Sequence, residues 1–417
     1  MSGGAPAVHR IDDLAHPRIP WPVRALNALL RPIASRVAHL DESGLLAAAE
    51  RATGLHDFGD ERFREPLRAL LHALETEARL TPLGRLMTRH VILQLLGTRL
   101  RLQDLLRRHP EVRRETIARP IVVSGLPRTG TTHLHNLISR DPDLRSLPYW
   151  EALQPFPPGG GRPDRRVERC AQGLRFVAYV MPLFPLMHEM DANLPHEEIQ
   201  LLAVEFSTML FEATCRVPGY RAWYATHDQT PAYATMKLLL QALQWMHGGG
   251  GCWVLKSPQH LEQLGPLFAT FPDACLVQTH RDPVAVTASL CTMTTYGLRM
   301  QSDGIDPVAR GRYWATRVEE LLRASVRDRP RVPAAQAFDV RFHEFMADDV
   351  AMVERVYAFA GQPMTDRARA AARAFMDANP RGKLGRVEYR LEDFGLDPAE
   401  RRRALRFYQT RFDVPDE

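Results

Sequence analysis

The stretch Ile121-Val122-Val123-Ser124-Gly125-Leu126-Pro127-Arg128-Thr129-Gly130-Thr131-Thr132 constrains this chain more than any other. The short β-branched run reads as a buried strand, the glycines as a tight turn, and Thr132-His133-Leu134-His135-Asn136-Leu137-Ile138 as a helix. Strand, loop and helix in that order bring backbone N–H groups and a helix N-terminus onto one point, where an anion is favoured. The Gly-x4-Gly spacing is that of a phosphate-binding loop. The residue after Gly130 is Thr131 instead of lysine, and the nearest positive charge sits at Arg128. A kinase or ATPase needs that lysine across the β- and γ-phosphates beside a metal, so a P-loop kinase or NTPase is the second reading.

The same texture recurs. Cys252-Trp253-Val254-Leu255, Ala274-Cys275-Leu276-Val277-Gln278 and Ala337-Phe338-Asp339-Val340 are strand-like runs, each followed by a helical segment. That alternation implies an α/β fold: a P-loop-like parallel sheet flanked by helices. Apolar residues at three-four spacing, as in Ala25-Leu26-Leu29-Leu30 and Leu67-Leu70-Leu71-Leu74, make residues 1–115 an all-helical N-terminal region. Residues 116–396 form the α/β domain, with a helical insertion at about 150–250, and residues 397–417 a helical tail. A chain of 417 residues has room for such units at ~100–200 residues per domain.

Composition removes other classes. With 54 basic against 49 acidic residues and no run of five like charges, a nucleic-acid arm is not expected; an anionic small molecule or an acidic membrane surface stays open. Five widely spaced cysteines in apolar segments, without a Cys-x-x-Cys pair, fit free thiols of a reducing cytoplasm and no metal site. The first residues lack a basic stretch followed by an apolar one, so no secretory signal is read. The longest apolar run, Phe176 to Met187, spans twelve residues including Pro182, too short for a bilayer-spanning helix but able to line a greasy pocket or touch a membrane surface.

Lysine occurs only at Lys237, Lys256 and Lys383, against 51 arginines. Where it persists, a compact, rotatable ammonium has a use that the planar guanidinium lacks. Lys237 reads as a solvated helix position. Lys256 follows a strand in Leu255-Lys256-Ser257-Pro258, and strand ends of a parallel sheet face the ligand crevice.

The loop, with its Gly-x-Pro-Arg-[Ser/Thr]-Gly-Thr-Thr form, resembles that of the sulfotransferases that use 3′-phosphoadenosine 5′-phosphosulfate, in particular their bacterial branch. Gln278-Thr279-His280-Arg281-Asp282-Pro283, with Ser289 eight positions after Arg281, resembles the family's 3′-phosphate site. Phe342-His343-Glu344-Phe345-Met346-Ala347-Asp348 resembles a further family stretch, and Arg381-Gly382-Lys383-Leu384-Gly385 its basic, glycine-rich closing loop in altered order. The resemblance covers about Pro120 through Leu396 and implies a nucleotide-binding transferase with no metal. It assigns the 5′-phosphosulfate to Arg128, Thr129, Gly130, Thr131 and Thr132, and the 3′-phosphate to Arg281, Ser289 and one of Arg381 and Lys383. Lys256 would support the oxygen between phosphate and sulfate.

Sulfuryl transfer to an alcohol also needs a base for the hydroxyl proton. Where animal-type members carry a histidine two residues after the lysine, this chain has Pro258. The candidates are Glu151, which leads, then His260, then His188-Glu189 and Glu197-Glu198 around Pro195. Loss of that histidine also leaves open a nucleotide- or lipid-binding protein without catalysis. Aromatic and methionine-rich segments, Phe176 to Met187 and Phe206 to Phe211, suggest a small apolar acceptor, a lipid-like, steroid-like or aromatic alcohol over a free sugar, less readily an amine.

Overall fold

In the computed structural model the described residues are 7–159, 161–380 and 385–417. Seven strands are present among them: β1 (Val8–His9), β2 (Ile121–Ser124), β3 (Leu144–Ser146), β4 (Cys252–Lys256), β5 (Cys275–His280), β6 (Ala337–Arg341) and β7 (Arg386–Val387). Five of them build one sheet in the order β3-β4-β2-β5-β6, every neighbouring pair parallel. Ile121 stands between Val254 and Cys275 in register, so the phosphate-loop strand is the centre of the sheet. β2 and β5 are buried along their whole length. With helices on both faces, such strands carry apolar residues without alternation, which is why these runs were readable.

β3 was not expected. Its three residues, Leu144-Arg145-Ser146, have no β-branched side chain and pair only with β4 at the sheet edge. Equally unforeseen is the parallel pair of β1 and β7, which ties the beginning of the described chain to the segment after residue 384. Gly385 meets β1 closely: its φ is +86°, and a Cβ there would lie 2.7 Å from the Ala7 carbonyl oxygen.

One apolar cluster joins Leu67, Leu70 and Leu74 of the helix Arg64–Thr76 to Tyr233 and Leu239 of the helix Thr230–Met246 and to Trp253 and Leu255 of β4. The opposite sheet face packs Val123 and Val277 on Leu134, Val353 and Val356. A third cluster contains Leu126 of the phosphate loop, Val284, Trp314, Met181 and Met187, and it takes in Ile11, Leu14 and Val23 near the beginning of the chain. The run Phe176 to Met187 thus becomes a wall, with Val180, Met181 and Met187 buried. Lys237 is half-buried instead of solvated: its ammonium donates to the Thr270 carbonyl at 3.2 Å and lies 5.7 Å from the Phe271 ring centre. All five cysteines are free. Among the described residues no helix is long and apolar enough to cross a membrane.

Candidate active site

The phosphate loop leaves β2 through Gly125, where a Cβ would come within 2.1 Å of the Thr279 hydroxyl and 2.8 Å of the Thr129 hydroxyl. Those two hydroxyls are 2.6 Å apart, and Thr129 Oγ1 also donates to the Leu126 carbonyl at 2.7 Å. Thr129 therefore turns its side chain into the protein and ties the loop to β5. Gly130, at φ +88°, supplies the left-handed turn into the helix Thr131–Ile138. Arg128 is left-handed as well, at φ +74°, a conformation that costs a non-glycine residue energy and persists only when held. It is held: Arg281 Nη1 donates to the Arg128 carbonyl at 2.9 Å, Arg128 Nε donates to Ser289 Oγ at 3.2 Å, and Arg128 Nη1 donates to the Met187 carbonyl. Arg128, Arg281 and Ser289, far apart in sequence, thus meet at one corner.

Above the loop opens a cavity of about 420 Å³. Arg128, Gly130, Thr131, Thr132 and Arg281 line one side; Pro185, Leu186, Met187, His188 and Glu197 line the other. The Arg281 guanidinium lies 4.2 Å from the Phe342 ring centre and pairs with the Glu417 carboxylate at 2.7 Å. Arg381 and Lys383 lie outside the described residues, while Pro380 and Gly385 on either side of them line the cavity.

Lys256 ends β4 and is 2% exposed. Its ammonium sits 2.5 Å from Glu197 Oε1 and 3.4 Å from Thr132 Oγ1, bridging the loop helix and the insertion. Its backbone N–H donates to Glu198 Oε2 at 2.7 Å. The neighbouring glutamates thus do different things. Glu197 faces the cavity, whereas Glu198 is sealed, its second oxygen 2.5 Å from His260 Nε2. His260 completes the chain with the Tyr233 hydroxyl at 2.7 Å and is fully buried. The expectation that His260 could take the place vacated at Pro258 does not fit this geometry: Pro258 lines the cavity, and His260 points the other way, into the buried chain.

Three histidines surround the contact of Lys256 with Glu197, His135 on the phosphate-loop helix and His188 and His196 in the insertion. Burial, reinforced by the Lys256 charge, lowers His188 to about 4 and His135 to about 3, and burial with neighbouring His188 holds His196 well below its usual value. All three are neutral at pH 7. His188 lines the cavity, and its buried Nδ1 has no hydrogen-bond partner.

Glu151, expected as the leading base, is elsewhere. It follows β3 in the short helix Tyr149–Leu153, 2% exposed, with Arg145 Nη2 at 3.3 Å and His247 Nε2 at 2.8 Å, and it lines a separate hollow on the edge-strand side of the sheet. That strand carries no sequence signal, and so neither does the direction in which Glu151 points. Thr279 and Phe342 lie within the quoted stretches but were given no role, and Glu417 lies outside every motif; each touches a motif residue.

Residues 120–366 match the model of the Sulfotransferase family. The chain is 23% identical over 258 residues to omega-hydroxy-beta-dihydromenaquinone-9 sulfotransferase Stf3 of Mycobacterium bovis and of Mycobacterium tuberculosis; the match covers 58% of this chain and 62% of the relatives' length. Among solved structures, sulfotransferase STF1 from Mycobacterium tuberculosis H37Rv is similar, with 32% identity, a TM-score of 0.73, and 87% of this chain and 98% of that one covered. Sulfotransferase STF9 from Mycobacterium avium matches at 28% identity and a TM-score of 0.80, covering 90% of this chain and 97% of that one. The sheet, its central phosphate loop and these matches agree: the chain belongs to the Sulfotransferase family.

Proposed function

We propose that this protein moves the sulfuryl group of 3′-phosphoadenosine 5′-phosphosulfate to a hydroxyl of an apolar, lipid-like alcohol in a reducing cytoplasm. The observation that carries this reading is Lys256: a buried strand-end ammonium between Thr132 of the phosphate loop and Glu197 of the opposite wall.

The 5′-phosphosulfate would lie against Arg128 and the N-terminus of the helix at Gly130, Thr131 and Thr132, with Thr129 holding the loop in shape. The 3′-phosphate would take Arg281, where the Glu417 carboxylate now occupies the guanidinium as an anion, with Ser289 close behind and the charge of Arg381 or Lys383 as a further partner. The alcohol oxygen attacks sulfur as the bond from sulfur to the bridging oxygen breaks. Lys256 turns from Glu197 to the bridging oxygen, where negative charge builds. The freed Glu197 carboxylate takes the hydroxyl proton, and the unpartnered Nδ1 of His188 orients that hydroxyl. His260 acts through Glu198 as a positioning residue for the Lys256 backbone.

Pro185, Leu186, Met187, Met293 and Met346 give the acceptor side an apolar lining. The Stf3 relatives, named for a hydroxylated dihydromenaquinone, suggest the same acceptor class. Calorimetry with adenosine 3′,5′-bisphosphate and with ATP, followed by sulfate transfer to short sugars and to long-chain alcohols, tests the reading. Tight bisphosphate binding, weak ATP binding and turnover with the apolar alcohols are expected. Preference for ATP would favour phosphoryl chemistry, and bisphosphate binding without turnover a binding protein.

A further inference from the structure

Four of the nine large hydrophobic side chains exposed among the described residues fall within one stretch of thirteen positions: Trp21 at 74%, Leu26 at 40%, Leu29 at 75% and Ile33 at 42%. The first three lie on the helix Trp21–Leu30. At 3.6 residues per turn, positions 21, 25 and 29 fall within about 80° of each other, and 26 adjoins 29. This outward face is apolar although the helix already has an inward one. Val23 is buried with Met181 and Met187, and the Asn27 side chain accepts from the Leu83 N–H at 2.9 Å. The helix is therefore docked and still presents a second greasy side to solvent.

Charge identifies what that side fits. From Leu14 to Leu40 the chain has four arginines, Arg18, Arg24, Arg31 and Arg36, and no acidic residue. Arg18 pairs with Asp12 and Arg31 with Asp303; Arg24 and Arg36 are exposed. An exposed tryptophan and leucines beside unneutralised arginines are the composition of a helix lying in the interface of an anionic bilayer. A second protein surface would need matching acidic and apolar groups; a second copy of this face is itself cationic.

We propose that the helix Trp21–Leu30 docks the protein on anionic phospholipid membranes, with Trp21, Leu26 and Leu29 entering the headgroup boundary and Arg24 and Arg36 meeting lipid phosphates. Of the run Phe176 to Met187, Val180, Met181 and Met187 are turned inward, and the helix Trp21–Leu30 packs chiefly on the helix Pro82–Arg108. Through Val23 the helix shares one apolar cluster with Met187, which lines the cavity, so a lipid-like acceptor would be drawn from the membrane close to the site. That consequence rests on the acceptor reading above; the docking itself does not.

The test is flotation of the full chain with vesicles of phosphatidylcholine alone and of phosphatidylcholine with phosphatidylglycerol. Binding to the anionic vesicles, weakened by salt, is expected, together with a blue shift of fluorescence that is lost in Trp21→Phe. Trp21→Ser/Leu29→Ser should weaken binding ~10-fold or more, and Arg24→Glu/Arg36→Glu at least ~10-fold. Bisphosphate affinity should stay unchanged in both, which also shows that the variants fold. No flotation of the wild type, or equal flotation of the variants, would overturn the docking. So would a dimer in sedimentation that Trp21→Ser/Leu29→Ser dissolves while vesicle binding persists.

Discussion

On the donor side of the cavity the polar groups are held by sheet and loop backbone: Arg281 on the Arg128 carbonyl, Thr129 on Thr279, Lys256 at the end of β4. On the acceptor side they hang from short helices and turns of the insertion, and their environment is apolar: Met187, His188 and Glu197, with the half-buried His196 nearby. The first arrangement fixes geometry before any ligand arrives, which a developing charge requires. The second leaves shape and protonation to side chains. The two sides touch where Arg128 meets the Met187 carbonyl and, at the chemistry, where Lys256 meets Glu197.

Breaking that contact should cost most. Lys256→Ala is expected to lose at least ~10³-fold in turnover, and Lys256→Arg ~10²-fold with donor affinity largely kept, because a broad fork cannot sit where the compact ammonium does. Single-turnover sulfate transfer at saturating donor measures both, and an Arg variant as fast as wild type would remove Lys256 from the chemistry. Glu197→Gln should lower turnover ~10²–10³-fold with donor affinity little changed. Glu151→Gln should stay within a few-fold, since that carboxylate lines another hollow; the reverse ranking would return the base to Glu151.

The donor wall alone can be sharpened next. Arg281→Ala removes a charged hydrogen bond worth ~1.5–3 kcal/mol, so adenosine 3′,5′-bisphosphate should bind ~10–100-fold more weakly. Ser289→Ala should cost less. Adenosine 5′-phosphosulfate, which has no 3′-phosphate, should lose less in both variants, only through the loosened hold on Arg128, and equal losses for the two ligands would move the 3′-phosphate elsewhere.

The same contrast explains what could be read from the sequence. β2, β4, β5 and β6, the loop position of Arg128 and the strand-end positions of Lys256 and Arg281 follow from β-branched and apolar runs and glycine spacing, because local backbone chemistry decides them. β3 escaped notice because a three-residue edge strand with an arginine in its middle owes its pairing to β4 rather than to its own propensity. With β3 unseen, Glu151 had no direction. Glu197 and Glu198 were indistinguishable as neighbours in sequence; the partners that separate them, Lys256 and His260, are about sixty residues away. The residues that make Trp21–Leu30 a helix were plain, but its outward apolar face was not, since exposure depends on what packs against the other side.

Acidity should act where the two walls meet, through the histidines beside Lys256. The usual histidine value is 6.5, and His135 is lowered to about 3 by burial and the Lys256 charge. Between those values the unfolded chain binds a proton that the folded chain refuses, so stability is full above about pH 6.5 and falls as the pH drops. The loss from His135 approaches about 1.4 kcal/mol per pH unit, with His188, lowered to about 4 but only half-buried, adding less. Melting temperatures from pH 7.5 to 5 should therefore decline, and His135→Leu should flatten the slope. An unaltered slope would place the acid sensitivity away from His135.

The smallest effect belongs to Glu417. Its carboxylate holds Arg281 Nη2 at 2.7 Å, with both side chains partly exposed, at 35% and 25%. A ligand phosphate at Arg281 has to displace it, so the pair works against bisphosphate binding by what it contributes itself. Exposed ion pairs contribute at most about 1 kcal/mol. Glu417→Gln should therefore tighten adenosine 3′,5′-bisphosphate binding ~2–5-fold, leave adenosine 5′-phosphosulfate unchanged, and lose its advantage as salt screens the original pair. In the Arg281→Ala background the same change should do nothing. Calorimetry of the four proteins at two salt concentrations reads all of this. Weaker binding in Glu417→Gln would give the carboxylate the opposite role, that of holding the Arg281 guanidinium against Phe342 so that it faces the ligand.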